Sequence, residues 1–114
     1  MTILKTFPEQ IKEDKKLVYA LTKGKSTSVK LIGNGTQLHI DCFILYEDMN
    51  ANTGEVNEVL AFKSGNDFYT TISPVFKKSF LDMFEVLGDE VEKIEIQKRL
   101  SKSNREYVDC QLVY

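Results

Sequence analysis

A run of alternating residues in the middle of the chain, "TQLHIDCFILYED", constrains the fold more than any other feature. In an extended chain successive side chains point to opposite faces, so one residue in two shares a face. One face carries Leu38, Ile40, Cys42, Ile44 and Tyr46, and the other carries His39, Asp41, Phe43 and Leu45. This alternation predicts a strand. The preceding "GNG" predicts a turn, and the following "MNANTG" predicts a loop.

The same alternation predicts four further strands: "EVNEVLAFKS", "DFYTTI", "EKIEIQKRL" and "REYVDCQLVY". A helix is predicted between the second and third of these. Ser73 suits its N-cap, Pro74 suits its first position, and Gly88 suits its C-terminal end. A single apolar stripe between them carries Phe76, Phe80, Met83, Phe84 and Leu87. A stripe of this kind has to cover a core.

Three strands, a helix and two strands follow one another in the order of the OB-fold. We therefore predict a mainly β protein with one helix. Its fold would be a five-stranded Greek-key barrel with an α-helix between strands 3 and 4, built as a single domain over residues 1–114. Residues 1–30 are ambiguous. They contain either a helix that begins near Pro8 or a strand at "KLVYALTKG", and the segment could serve as a basic arm or as the first strand.

Composition excludes several classes of function. With 42% hydrophobic and 28% charged residues the chain is an ordinary globular one, and it has no apolar run of the roughly 20 residues that cross a membrane. No signal peptide is recognisable, so we expect a cytoplasmic protein. Two cysteines and one histidine are too few for a typical zinc site. No phosphate-binding loop or nucleophile motif is present, so no enzyme, metal or cofactor is predicted.

The charges are segregated along a chain whose net charge is only −2. No acid occurs between Asp14 and Asp41, where Lys23, Lys25 and Lys30 lie, and a second acid-free stretch, "QKRLSKSNR", includes Arg99, Lys102 and Arg105. Acidic residues gather in "LYEDMNANTGEVNE" and "FEVLGDEVEKIE". This distribution permits a basic surface on an acidic protein.

Three aromatic residues fall on the predicted outward faces of different strands, namely Phe43, Tyr69 and Tyr107, in phase with Arg99 and Arg105. Aromatic rings that stack on bases, interleaved with cations that neutralise phosphates, are typical of a single-strand-binding groove. Packing offers another explanation, because cross-strand aromatic pairs stabilise sheets and bulges can turn such rings inward. A third interpretation is a protein–protein adapter with Phe43, Leu45 and Tyr69 as its apolar interface.

The stretches "GNDFYTTISPVFKKSF" and "IEIQKRLSKSNREYVDCQL" resemble the small single-stranded-DNA-binding proteins of phages that infect lactococci and related Gram-positive bacteria. The resemblance includes the strand end with Tyr69, Thr71 and Ser73, the Phe-rich helix, and a hairpin with Ser101, Lys102, Arg105 and Tyr107. It implies an OB-fold, sequence-independent binding of single-stranded DNA in replication or recombination, and self-association as a dimer or tetramer. It also implies that Tyr69, Arg105 and Tyr107 lie in the DNA groove. The protein would then be located in the cytoplasm of the host cell.

Overall fold

The computed structural model describes all 114 residues and is mainly β, with eight strands and two helices. The strands are β1 (Thr2–Phe7), β2 (Thr27–Ser28), β3 (Gln37–His39), β4 (Cys42–Met49), β5 (Val56–Ser64), β6 (Asp67–Thr71), β7 (Lys93–Leu100) and β8 (Glu106–Leu112). The helices are α1 (Lys15–Lys23) and α2 (Pro74–Leu87). Five strands form one sheet in the order β1-β4-β5-β6-β2, and three form a second in the order β3-β7-β8. The mainly β prediction is confirmed.

The alternating run that predicts one strand is divided between the two sheets. Backbone hydrogen bonds change partner within two residues: the Ile40 N–H donates to the carbonyl of Glu92 at 3.0 Å, and the Asp41 N–H donates to that of Lys63 at 2.9 Å. Residues before this point therefore pair with β7, and residues after it pair with β5. The Asp41 carboxylate accepts the Gly65 N–H at 2.7 Å and so ties the bend to the β5–β6 turn.

The sheets do not close into the predicted five-stranded, one-helix barrel. The antiparallel pairs β4–β5, β5–β6 and β7–β8 follow the predicted order, but β6 and β8 do not pair with each other. Instead β2 pairs in parallel with β6, and a 3₁₀ turn at Val29–Leu31 follows β2 and contacts both β6 and β8. Segments from the ambiguous N-terminal region thus occupy the space where a closing strand pair would lie.

The predicted central helix is confirmed in its limits and its packing. The Ser73 hydroxyl accepts the Phe76 N–H at 3.3 Å, and α2 ends at Gly88, whose φ of 55° is favourable for glycine. Phe76, Phe80 and Phe84 are buried in the main core against both sheets. Met83 and Leu87 are half-buried beside them. The apolar stripe therefore covers the core as expected.

Helix α1 covers the other face of the five-stranded sheet. Leu21 is buried there, in a second apolar cluster that also contains Ile11 and residues of β4 and β5 (Cys42, Ile44, Tyr46 and Ala61). The Asp14 carboxylate caps the helix by accepting the Leu17 N–H at 3.1 Å. Of the alternatives for residues 1–30, a helix is the correct one: a 3₁₀ turn at Glu9–Glu13 follows Pro8, and α1 begins at Lys15. The strand β1 precedes both.

No helix of the structure is both long and apolar enough to span a membrane. No group of three or more His, Cys, Asp or Glu side chains is positioned to hold a metal ion. Cys42 and Cys110 are both buried and unpaired. Burial raises the pKa of each thiol, that of Cys110 the further of the two, so both side chains are neutral core residues.

Candidate nucleic-acid interface

Phe43 does not lie on an outward face, and this part of the predicted site is wrong. Its side chain is 0% exposed and packs against Phe7, Phe80 and Phe84 in the main core. The physical reason is that β4 is covered on both sides, by α2 on the face of Phe43 and by α1 on the opposite face. Alternation separated the two faces correctly within β4, but neither of them is open to solvent. It wrongly assigned Leu38 and Ile40 to the face of Cys42, Ile44 and Tyr46, because both pack in the main core with Phe43 and Leu45.

Tyr69 also belongs to the core side of its strand. Its ring stacks on Phe62, with ring centroids 5.4 Å apart and an interplanar angle of 27°. The residue is half-buried, and desolvation, with a smaller contribution from Asp67, raises the pKa of its hydroxyl. Tyr69 therefore packs mainly within the protein, and it does not line the groove that contains Tyr107.

Tyr107 and Arg99 are directly opposite each other on neighbouring strands of the three-stranded sheet. Both lie outside the core, as predicted, because Ile96, Val108 and Cys110 take the inward positions. The Arg99 Nε is 3.7 Å from a carboxylate oxygen of Asp109, which partly neutralises its charge. Tyr107 is half-buried beside Ile72, Ser73 and Pro74, where β6 leads into α2.

Lys102 and Arg105 extend from the turn that joins β7 to β8. The Ser101 N–H donates to the Arg105 carbonyl at 2.9 Å, and the Arg105 N–H donates to the Ser101 hydroxyl at 3.2 Å, so the turn is closed. Asn104 occupies a left-handed conformation with φ of 60°, which asparagine tolerates better than most residues. Both basic side chains are exposed and free of ion pairs, and their charge faces solvent.

Lys30 joins this end of the hairpin from a distant part of the sequence. The Lys98 ammonium donates to the Lys30 carbonyl and also lies 3.8 Å from the Glu106 carboxylate. Lys30 and Tyr107 line one shallow groove. We call this surface the hairpin end, and it comprises Lys30, Lys98, Arg99, Lys102, Arg105 and Tyr107. It combines five cations and one aromatic ring with two carboxylates, those of Glu106 and Asp109.

Lys23 and Lys25 lie apart from the hairpin end. The Lys23 ammonium is 3.5 Å from the Asp48 carboxylate, at the C-terminal end of α1. Lys25 is exposed and lines a different groove, between that end of α1 and the β5–β6 turn. Of the nine predicted binding residues the structure therefore brings together five, which are Lys30, Arg99, Lys102, Arg105 and Tyr107.

Lys98 is the cation that the predicted site omitted. It alternates in phase with Ile94 and Ile96, a position that indicates a buried side chain, yet it lies near the end of the strand and reaches the edge of the core. Three exposed apolar side chains were also not anticipated: Leu31 (79% exposed), Leu100 (67%) and Ile72 (54%). Lys98 could have been included in the predicted site, because it belongs to the same acid-free stretch as Arg99, Lys102 and Arg105.

The middle of the outer face of the three-stranded sheet is polar but not basic. The Glu95 carboxylate accepts hydrogen bonds from the side-chain amides of Gln97 at 2.6 Å and Gln111 at 2.8 Å. The two amides satisfy the Glu95 carboxylate, which adds a negative charge to this face. A polyanion would therefore meet attraction at the hairpin end and repulsion at Glu95, in the middle of the same face.

No protein-family model, no curated protein and no solved structure matches this chain.

Proposed function

We propose that the protein binds single-stranded DNA without sequence preference, in phage replication or recombination, and that the hairpin end is the principal contact. The observation that carries this proposal is the contact of Lys98 with the Lys30 carbonyl, which joins two distant acid-free stretches. Lys30 lines one groove with Tyr107, beside the turn that carries the exposed Lys102 and Arg105. Cations along a groove neutralise phosphates, and an aromatic ring beside them stacks on any base. The acidic residues elsewhere keep the net charge at −2, which limits indiscriminate adsorption.

The strand order supports an OB-like interpretation of the fold. If the bent β3–β4 segment is strand 1, then β5, β6, α2, β7 and β8 follow in the OB order, and strand 1 pairs with both strand 2 and strand 4. OB-folds bind oligonucleotides on the face of strands 2 and 3 and with the loops between strands 1 and 2 and between strands 4 and 5. Here α1 covers the face, the β4–β5 loop is flanked by acidic residues, and the β7–β8 turn is the basic one of the two loops.

An adapter function has one specific observation in its favour. Leu31, Leu100 and Ile72 expose apolar area at or near the hairpin end, and such area is typical of protein interfaces. On this alternative the same end binds a partner protein or a second copy of the chain. Phe43 and Leu45 are buried and cannot form the interface that the sequence suggested.

The test is a fluorescence-anisotropy titration of labelled oligo-dT at low and at moderate salt. We expect Tyr107→Leu, which keeps apolar packing but removes the ring, to lower affinity by about 5- to 150-fold, the range of ~1–3 kcal/mol for one base stack. We expect Arg105→Ala to reduce the log–log salt slope by about 0.7, the value for one phosphate on a single strand.

Lys93→Ala is the matched control, because Lys93 is an exposed cation at the opposite end of β7, across from His39. It should change neither the affinity nor the salt slope measurably. An absence of binding at micromolar protein would reject the proposal in favour of the adapter. Equal losses in all three variants would show binding to general surface charge instead of to the hairpin end.

A further inference from the structure

The largest groove on the surface lies between the C-terminal end of α1 and the β5–β6 turn. Two small residues of one wall, Ala20 and Gly24, keep it open on the side of the helix. A Cβ at position 24 would lie 2.6 Å from the carbonyl oxygen of Ala20, so glycine is required for this close approach. The groove is thus a consequence of how the chain leaves α1.

The lining of this groove has the chemistry of a nucleotide site. A half-buried aromatic ring, Phe68, is present among polar side chains that can donate hydrogen bonds, namely those of Lys25, Ser26, Thr27 and Asn66. Its one carboxylate is that of Asp67. The side chains of Lys25 and Asn66 form no ion pair or hydrogen bond within the protein, so both are available to a ligand. A ring with cationic and amide donors beside it can hold a base and its phosphate.

The groove is connected to the hairpin end by a short, ordered segment. Lys25 precedes β2 and Lys30 follows it, and β2 is held against β6 by pairing of Thr27 with Tyr69 and of Ser28 with Thr70. Five residues of extended chain span at most about 17 Å. One strand of nucleic acid could therefore contact both places on a single protein molecule, because OB-type sites cover about 4–16 nucleotides.

We propose that this groove is a second nucleotide subsite, which binds the same single strand as the hairpin end and therefore rests on the function proposed above. A phosphate contacts Lys25, and a base stacks on Phe68. The Asp67 carboxylate repels phosphate and so faces the base, where it accepts a hydrogen bond from an exocyclic amino group such as N4 of cytosine. The subsite thus favours cytosine over thymine, and the absence of sequence preference proposed above then belongs to the hairpin end alone.

The first test compares oligo-dC of about 16 and about 4 nucleotides, the two limits of the range for OB-type sites. Lys25→Ala should lower affinity for the long oligonucleotide by about two- to fivefold, as expected for one exposed ion pair, and leave the short one unchanged. Phe68→Leu, which keeps apolar contact with the α1 side of the sheet, should also lower affinity for the long oligonucleotide. Lys16→Ala is the control, since Lys16 is an exposed cation of α1 outside the groove.

The second test measures base preference. Long oligo-dC should bind more tightly than long oligo-dT, and Asp67→Asn should remove at least half of that preference on a logarithmic scale. If Lys25→Ala and Lys16→Ala are indistinguishable on the long oligonucleotide, or if Asp67→Asn leaves the preference intact, the subsite is rejected. The function proposed for the hairpin end would survive both results. Failure of every oligonucleotide to bind would reject the function and the subsite together.

Discussion

At Phe43 a single buried ring connects three parts of the main core. Its centroid lies 5.9 Å from that of Phe7 on β1, and 5.1 Å and 4.9 Å from those of Phe80 and Phe84 on α2. Each aromatic pair of this kind adds about 0.5–1.5 kcal/mol beyond its buried area. Phe43 therefore stabilises the contact between the five-stranded sheet and the helix, and it has no surface on which a base could stack.

We expect Phe43→Ala to lower the free energy of unfolding by about 3–5 kcal/mol, the usual cost of removing a buried phenylalanine ring. Urea denaturation monitored by circular dichroism measures this loss. Phe43→Leu separates packing from binding, because it keeps most of the apolar volume. It should leave oligo-dT affinity unchanged while Tyr107→Leu lowers it. If folded Phe43→Leu bound oligo-dT more weakly than the unmodified protein, Phe43 would be shown to contribute to binding.

Among the elements, α1 has the largest consequence for the candidate site. It packs on the β4–β5–β6 face through Leu17, Val18 and Leu21, and the Tyr46 hydroxyl donates to the Thr22 carbonyl at 3.4 Å. Its outer face carries Lys15, Lys16 and Tyr19. Because α1 occupies this face of the sheet, the binding that we propose is assigned to the hairpin end and the groove beside Gly24 instead.

Leu21→Ala should lower the free energy of unfolding by about 2–5 kcal/mol, since Leu21 is 1% exposed within the second apolar cluster. Tyr19→Ala is the matched variant on the same helix, because Tyr19 is 66% exposed. It should change stability by less than about 0.5 kcal/mol. Thermal or urea denaturation compares the two. Similar small effects would mean that α1 is not docked on the sheet in solution.

For the whole molecule, buried ionisable groups determine how stability responds to alkaline pH. Desolvation raises the pKa of Cys42, Cys110, Tyr46 and Tyr69, all of which are acids that are neutral when protonated. In the unfolded chain a thiol ionises near its ordinary pKa of 9.0, whereas the folded protein keeps it protonated. Between those two pKa values the unfolded state binds fewer protons, so stability falls as pH rises.

We expect the free energy of unfolding to be insensitive to these thiols below about pH 8 and to decrease above pH 9, by at most about 1.4 kcal/mol per pH unit for each buried thiol. Urea denaturation at pH 7, 9 and 10 measures the slope. Cys110→Ala should make the slope between pH 9 and 10 shallower, whatever its effect on stability at pH 7. An unchanged slope in that variant would show that Cys110 ionises equally in both states.

The sequence by itself determined the local elements whose signals are short-range. Period-two alternation identified β5 to β8, and the Ser73 cap, the aromatic stripe and Gly88 identified α2 and its limits. Charge segregation indicated two basic stretches, and the contact between Lys98 and Lys30 brings parts of both together. These features follow from side-chain direction and backbone preference, which depend on residues only a few positions apart.

Only the tertiary structure decided which faces are covered and where the strands change partners. At the bend between Ile40 and Asp41 the main core passes from the even-numbered side chains to the odd-numbered Phe43 and Leu45. The apolar alternation of the sequence continues through this point, so nothing local distinguishes one long strand from β3 and β4. Likewise, alternation separates Phe43 from Ile44 but does not show that α1 covers the second face. Burial depends on which distant segment packs against a strand, and that choice is made by the whole core at once.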